Sequence, residues 1–316
     1  MDLAFLIDPL DQLKPEKDSS IEIMRAADQR GHRLFAIEPT GLQLDRGWVQ
    51  GWTLPLDYVA SQGIPVPQHD TTSFRKLCDF SAVLMRKDPP VDSEYLFATH
   101  LLDMAEGQGA RVFNRPQALR DYNEKLATAL FPHLCPPTLV ARTQDAFRTF
   151  LKRHRDIILK PLDGMGGREI FRVKEQDPNV AVILETLTRN ETRTIMAQQF
   201  LPAIQEGDKR VLMVQGEPLP YCLARLPAQG ETRGNLAAGG RGVAQPLGPS
   251  DQRIAEEVGP FLRKAGVLLA GLDIIGTHLT EINLTSPTCF REIRDQTGFD
   301  GALRVVEALE RACRQS

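Results

Sequence analysis

The chain has 316 residues, enough for two or three domains and a sizeable core, and its 42% hydrophobic and 25% charged content excludes a disordered or fibrous protein. A net charge of −3 provides no basic footprint for nucleic acid. No apolar run approaches membrane-spanning length, and Met1 to Asp8 lacks the basic start of a secretion signal, so a cytoplasmic protein with no membrane partner is expected.

Leu3 to Ile7 is a short apolar strand. Ser19 with Glu22 forms a capping box that predicts a helix ending at Gly31. Leu34 to Ile37 is a second strand, and a Gly/Pro-broken segment follows around Trp48 to Pro67. Ala82 to Arg86 is a third strand, Glu94 to Glu106 a helix and Arg111 to Asn114 a fourth strand. This alternation predicts a parallel sheet with helices on both faces and a ligand site beyond the carboxyl ends of the strands, where Asp8, Arg86 and Lys87 fall. Arg86 is placed to clamp a carboxylate, or else is a surface arginine on a loop. Asp8-Pro9-Leu10-Asp11 stands where a dinucleotide fingerprint would need glycines, which disfavours hydride transfer.

Asp121 to Leu126 opens a predicted helix carrying Leu126, Ala129 and Leu130. Asp156 to Pro161 is a strand that delivers Lys160 beside the glycines of Leu162-Asp163-Gly164-Met165-Gly166-Gly167. Glycine lets backbone N–H groups approach polyphosphate oxygens while the ammonium supplies charge, although an ordinary turn has the same composition and no Walker A loop occurs. Met196 to Pro202, Asp208 to Val214 and Tyr221 to Arg225 read as strands. Pro227 to Gly242 is a long segment with five glycines and two arginines, read as a lid rather than a linker because Ile254 to Ala265 resumes a buried helix.

Five cysteines, Cys78, Cys135, Cys222, Cys289 and Cys313, are odd in number and include no Cys-x-x-Cys pair, which argues against a disulfide framework and a zinc knuckle. Cys289 reads as a buried inert thiol rather than a nucleophile.

Gly271 to Pro287 reads as a β-hairpin with a three-residue loop, Gly276-Thr277-His278, which sets Asp273 opposite Glu281 and puts Asn283 on the same face. Leu272, Ile274, Ile282 and Leu284 point the other way. Two carboxylates this close need a cation between them, and oxygen ligands suit Mg²⁺. A solvated edge-strand face is the alternative.

Met85 to Pro90, Asn123-Glu124-Lys125-Leu126, Ile158 to Gly167, Glu231 to Gly242 and Thr280-Glu281-Ile282-Asn283 through Cys289 together resemble the bacterial glutathione synthetases of the ATP-grasp superfamily, from Lys17 to the C-terminal helix. The resemblance implies an α/β protein with an ATP-grasp fold preceded by a Rossmann-like parallel α/β domain. It divides the chain into a substrate domain at 1–122, a central subdomain at 123–200 and a metal-bearing subdomain at 201–316 with a mobile loop at 226–242. It also implies ATP-dependent joining of γ-glutamylcysteine and glycine through an acyl phosphate, with Mg²⁺ or Mn²⁺, in a homotetramer. Lys125, Lys160, Gly164, Gly166 and Gly167 would hold phosphates; Gln198, Gln199 and Leu201 would receive adenine, with Asp208 near the ribose. Asp273, Glu281 and Asn283 would bind the metal, Arg210, Arg225 and Arg233 would stabilise the transferring phosphoryl group, and Arg86 and Ser286 would contact the peptide. Arg168-Glu169 departs from the pattern by its charge. Another ATP-grasp ligase, one that adds an amino acid to a peptide or protein terminus, is the nearest alternative; a kinase of the same fold or a non-catalytic nucleotide-binding module would make no amide.

Overall fold

The computed structural model describes every residue except 69–71, 232, 235, 237, 238, 315 and 316. In β1 (Asp2–Leu6), Leu3 and Phe5 enter one core while Ala4 and Leu6 enter another, so both faces of the strand are covered. α1 (Ser19–Gln29) starts one residue earlier than the capping-box reading placed it. The cap is Asp18, whose carboxylate accepts from the N–H groups of Ser20 at 2.7 Å and Ile21 at 3.3 Å. Glu22 is buried and instead takes Arg25 at 3.0 Å and Arg294 at 2.5 Å.

β2 (Arg33–Asp45) and β3 (Trp48–Val59) form a long hairpin, followed by β4 (Ile64–Pro67), β5 (Ser73–Lys76), β6 (Ala82–Met85), α2 (Ser93–Gly107), β7 (Val112–Phe113) and α3 (Pro116–Asp121). Sheet order is β4-β3-β2-β1-β6-β7, with β5 on β3. Only the β2-β1-β6-β7 portion is parallel; β3, β4 and β5 pair antiparallel, so the wholly parallel sheet and the broken Trp48–Pro67 segment are both corrected. The glycines and prolines there have non-local reasons. A Cβ on Gly51 would come within 2.8 Å of Ile37, and Pro65 and Pro67 lie on the sheet's edge strand.

The expected helix at Leu126 is a 3₁₀ segment, Leu126–Leu130, because the Asn123 side chain accepts from the N–H groups of Lys125 and Leu126, both at 3.1 Å, and turns the chain. Leu126 and Leu130 are exposed rather than buried. β8 (Thr138–Ala141), α4 (Gln144–His154), β9 (Asp156–Pro161), β10 (Phe171–Lys174), α5 (Val180–Thr188) and β11 (Ile195–Gln199) follow, as an antiparallel sheet of order β10-β9-β11-β8. Its core, including Phe147, Leu159 and Leu184, is separate from the others.

The last sheet has order β14-β13-β12-β15-β16, built from β12 (Asp208–Val214), β13 (Glu217–Leu226), β14 (Arg241–Pro246), β15 (Leu269–Ile275) and β16 (His278–Asn283). α6 (Pro249–Lys264), α7 (Phe290–Thr297) and α8 (Gly301–Arg314) complete it. Leu6 and Leu272 share one core and Phe5 and Leu212 the other, so the first and last sheets are packed as one body. No helix among the described residues is long and apolar enough to cross a membrane.

α8 is tied to the first sheet by Glu310, which accepts both Arg30 nitrogens at 2.6 and 2.7 Å and approaches His32 Nε2 at 2.9 Å. Hydrogen bonds from Arg30, ahead of the opposing effect of burial, hold this carboxyl down to about 2. A carboxyl depressed on folding stabilises above its unfolded pKa and loses that contribution as pH falls through the folded one. Glu310→Gln should therefore melt earlier than the unchanged protein at pH 7, and the gap should close between about pH 4.5 and 2 in thermal scans.

Candidate active site

Three neighbouring strands set one row of charge. Arg210 on β12 is in register with Asp273 on β15, and Asp273 with Glu281 on β16. Asp208, two residues before Arg210 and so on the same face, is in register with Arg225 on β13. The Asp273–Glu281 pairing matches the sequence expectation, but by another route. The turn has two residues, Gly276 and Thr277, and an irregularity between Asp273 and Ile274 restores the register. Leu272, Ile274, Ile282 and Leu284 are buried beneath the row.

The cations that the paired carboxylates require are protein side chains. Arg210 grips Asp273 bidentately, Nε to Oδ1 at 2.6 Å and Nη2 to Oδ2 at 3.1 Å. Arg225 Nη2 donates to Asp208 Oδ2 at 2.5 Å and lies 2.9 Å from Asp273 Oδ2. Glu281 Oε1 receives Lys160 Nζ at 3.3 Å and faces Lys125 Nζ at 3.7 Å. A side chain on Gly271 would strike Arg210 Cδ at 2.8 Å, so the Arg210–Asp273 grip depends on that glycine.

Burial would raise Asp273, but Arg210 and Arg225 outweigh it and hold its carboxyl well below the usual range. Glu281 follows the same pattern, with Lys125 and Lys160 overriding burial. Asp208 goes the other way. Burial, reinforced by Asp273 and Glu281 against Arg225, pushes it up to about 6, and its Oδ1 is buried with no hydrogen-bond partner among the described residues. Burial holds Lys160 below the usual lysine range despite Glu281. Cys289 is buried and pushed by that burial up to about 11, in keeping with an inert thiol.

A cavity of about 850 Å³ opens between the middle and last sheets. Lys125, Lys160, the loop Gly164 to Gly167, Gln198 to Leu201, Asp208, Arg233, Asp273 and Glu281 all line it, and Ile158, Phe200, Ile204 and Ile275 make an apolar end. An apolar end beside convergent charged groups suits the base and the phosphates of a nucleotide. Lys125 Nζ donates to Gly164 O at 2.7 Å and Arg233 Nη1 to Gly167 O at 3.1 Å, so both loops converge over its mouth. The two carboxylates of the small loop pair with Arg193, Asp163 at 2.5 Å and Glu169 at 3.1 Å, while Arg168 lines the cavity.

A second cavity, about 840 Å³, shares Met165 and Gly166 with the first. Lys17, Asp88, Glu124, Arg210, Arg225, Asn283, Ser286 and Glu292 line it. Asn283 Nδ2 donates to Gly271 O at 3.2 Å, and the Ser286 hydroxyl donates to Asp88. Arg86, expected to contact the peptide, is held by the protein itself. It is 6% exposed, lines neither cavity, and donates to Ser20 Oγ at 3.1 Å and to the carbonyls of Thr285 at 3.4 Å and Pro287 at 3.2 Å. It fixes the segment that carries Ser286.

Three residues at the site had no role in the sequence reading, and two of them position other groups. Glu124 Oε1 accepts from Leu284 N, Thr285 N and Thr285 Oγ1 at 2.8 to 2.9 Å. Asn114 donates to the carbonyls of Leu269 and Leu284 at 2.7 and 2.6 Å and accepts from Leu268 N and Leu269 N at 2.8 and 2.9 Å. Glu292 lines the second cavity. Asn123-Glu124-Lys125 was visible as a motif, but nothing local marks Asn114 or Glu292.

Two antiparallel sheets that close glycine-bearing loops over a cavity with buried lysines and a carboxylate row define the ATP-grasp class. Solved structures agree on that fold: the D-cycloserine synthetase DcsG superposes with a TM-score of 0.69 at 15% identity, covering 99% of this chain and 100% of that one. The ATP-grasp ligase PsnB, complexed with minimal precursor, Mg and ADP, gives 0.62 at 15% identity over 98% of each chain. The chain belongs to the prokaryotic glutathione synthetase family, whose N-terminal domain matches residues 1–120 and whose ATP-grasp domain matches residues 124–298. The glutathione synthetase of Nitrosomonas europaea is 52% identical over 317 aligned positions, 98% of each chain, and that of Pseudomonas aeruginosa 54% identical over 92% of each.

Proposed function

We propose that this enzyme joins γ-glutamylcysteine to glycine at the expense of ATP: the γ-phosphoryl group passes to the cysteinyl carboxylate with release of ADP, and phosphate leaves when the glycine amine attacks the acyl phosphate. The observation that carries the reading is the meeting of two cavities at Met165 and Gly166 and across the Arg210–Asp273–Arg225 cluster. A carboxylate has no leaving group at neutral pH, and phosphorylation gives it one; the protein's part is to position the reactants and neutralise charge. ATP occupies the first cavity, with its base toward Gln198 to Leu201, its ribose near Asp208 and its phosphates at Lys125, Lys160 and the glycine loop. The dipeptide occupies the second, its cysteinyl carboxylate facing Arg210 and Arg225. Those arginines and Arg233 stabilise the transferring phosphoryl group and the tetrahedral intermediate that follows attack by the glycine amine.

The donor chemistry fits Mg²⁺, with Mn²⁺ as the alternative. Asp273, Glu281 and Asn283 offer oxygen ligands on one face. Four bases, Lys125, Lys160, Arg210 and Arg225, face three carboxylates, Asp208, Asp273 and Glu281, an excess of one positive charge. A divalent cation is therefore favoured here only when it enters with the nucleotide's phosphates. When bound it screens phosphate charge during transfer.

The test is ADP release and hydroxamate trapping. ATP with γ-glutamylcysteine and hydroxylamine should give a hydroxamate, and added glycine should give glutathione. A phosphorylated product that hydroxylamine does not trap would mean a kinase. Hydroxamate formation without amide formation from glycine would favour a ligase for another amine, and no turnover of any kind would favour a binding module.

Residues 226–242 act as a lid in this reading, supported by the Arg233–Gly167 contact and by Leu236, which reaches the second cavity. Trypsin should cut the free protein at Arg233 or Arg241, ATP alone should slow cleavage, and ATP with a phosphinate mimic of the acyl phosphate should stop it. Arg233→Ala should lower kcat far more than it weakens ATP binding. Cleavage at one rate under all conditions would remove the lid assignment. The reading includes a cytoplasmic homotetramer, which a single monomeric species in sedimentation at micromolar concentration would refute.

A further inference from the structure

The loop Gly164 to Gly167 is shared by both cavities, through Met165 and Gly166, so its placement bears on both reactants. Two of the bonds that hold it come from inside. Lys125 Nζ donates to Gly164 O at 2.7 Å and Arg233 Nη1 to Gly167 O at 3.1 Å. The reading above gives both cations to phosphate, and a cation turned to a phosphate no longer tethers a carbonyl. The loop therefore needs an anchor for which nucleotide does not compete.

Arg193 meets that need. It lines neither cavity, and its one guanidinium spans both ends of the loop: Nη2 donates to Asp163 Oδ1 at 2.5 Å and Nη1 to Glu169 Oε2 at 3.1 Å. Strand register explains the meeting. Ile195 on β11 pairs antiparallel with Pro161 on β9, so two residues outward Arg193 comes level with Asp163 as the chain leaves β9. Phe171 on β10 pairs with Leu159, and Glu169 lies two residues before Phe171, where the chain enters β10. The clamp thus joins three strand ends around the glycines. Glu169 has a φ of +55°, a left-handed conformation that a residue with a side chain adopts at a cost, and its carboxylate is where the clamp grips. An arginine paired to both carboxylates also weakens the repulsion that they would exert on incoming phosphates.

We propose that Arg193 is a positioning residue for ATP, clamping Asp163 and Glu169 so that the glycine loop is already folded over the nucleotide cavity when the ligand arrives. The proposal rests on the nucleotide reading of that cavity. The clamp acts through chain entropy: a loop ordered beforehand does not have to be ordered by the ligand, and affinity rises by the difference. Glu169, half of the Arg168-Glu169 pair whose charge departs from the family pattern, becomes part of the loop's anchorage.

The test uses the full-length enzyme. Arg193→Gln should raise KM for ATP about three- to tenfold, the range of two partly exposed ion pairs, while kcat changes by less than about twofold. In deuterium exchange without nucleotide, residues 162–170 should exchange faster and the rest of the middle sheet as before. Glu169→Gln should give a smaller shift in the same direction, and the double variant no more than Arg193→Gln alone, because both act on one contact. Arg193→Lys, which supplies the charge without the fork, should recover part of the loss. An unchanged KM for ATP, additive losses in the double variant, or exchange that quickens throughout the middle sheet would overturn the clamp. Should Arg193→Gln fail to fold, Glu169→Gln decides alone: its side chain is half exposed, and an unmoved KM and loop exchange there would be as decisive. If ATP neither slows exchange of the loop in the unchanged enzyme nor is turned over, the nucleotide reading falls with the clamp; normal turnover with a KM that the variants do not move removes the clamp alone.

Discussion

Glu281→Gln should lower turnover at saturating Mg²⁺ by at least about a hundredfold, the scale of losing a strong electrostatic contact to the transferring group. The substitution keeps the side chain's volume and removes one negative charge from a point where three groups need it. Glu281 Oε1 faces Lys160 Nζ at 3.3 Å and Lys125 Nζ at 3.7 Å, and it stands in register with Asp273 on the face proposed to take the metal. Burial already holds Lys160 below the usual range, and Glu281 is the main opposing influence, so the substitution moves this lysine further down. ATP-loaded protein should still melt as one cooperative unit, because phosphate oxygens replace the missing counter-charge. ADP release from γ-glutamylcysteine and glycine is the measurement. Near-normal rates at saturating Mg²⁺ would remove Glu281 from the metal site.

The second large effect is expected at Arg225, and it concerns stability as much as activity. Its guanidinium donates to Asp208 Oδ2 at 2.5 Å and to the Asp208 carbonyl at 3.2 Å, and reaches Asp273 Oδ2 at 2.9 Å. All three side chains are buried. Arg225→Ala leaves two carboxylates facing one remaining arginine, and breaking a buried pair in this way costs about 3–5 kcal/mol. The loss should depend on pH. Asp208 is pushed up to about 6 in the folded protein from an ordinary value of 3.8, and without Arg225 it moves higher still. A group whose folded pKa lies above its unfolded one stabilises at low pH, and that contribution is lost as pH rises through the folded value. Urea unfolding should therefore find a smaller deficit at pH 5 than at pH 7.5, with activity reduced throughout. A deficit independent of pH would mean that Asp208 does not gain a proton when its partner goes.

Much of the site was legible because its signals are local. Period-two alternation with a glycine turn fixes which residues of 271–284 share a face, so Asp273, Glu281 and Asn283 could be grouped from sequence. The strand Asp156–Pro161 and the glycines after it likewise put Lys160 beside a loop suited to phosphate, and the order of motifs was enough to indicate the family. Other features depended on partners far away in the chain. Arg210 lies 63 positions from Asp273, and only strand order and register make them a pair. Arg86 looks from sequence like a free cation at a strand end, yet its donors are taken by carbonyls about 200 positions away. Trp48 to Pro67 looked broken because glycine and proline are local punctuation, whereas there they answer a close side chain and a sheet edge. The sequence by itself determined the strand faces, the chemistry carried at the strand ends and the family. Only the tertiary structure decided which charges pair, because a buried ion pair is set by which strands become neighbours, and no local pattern encodes that.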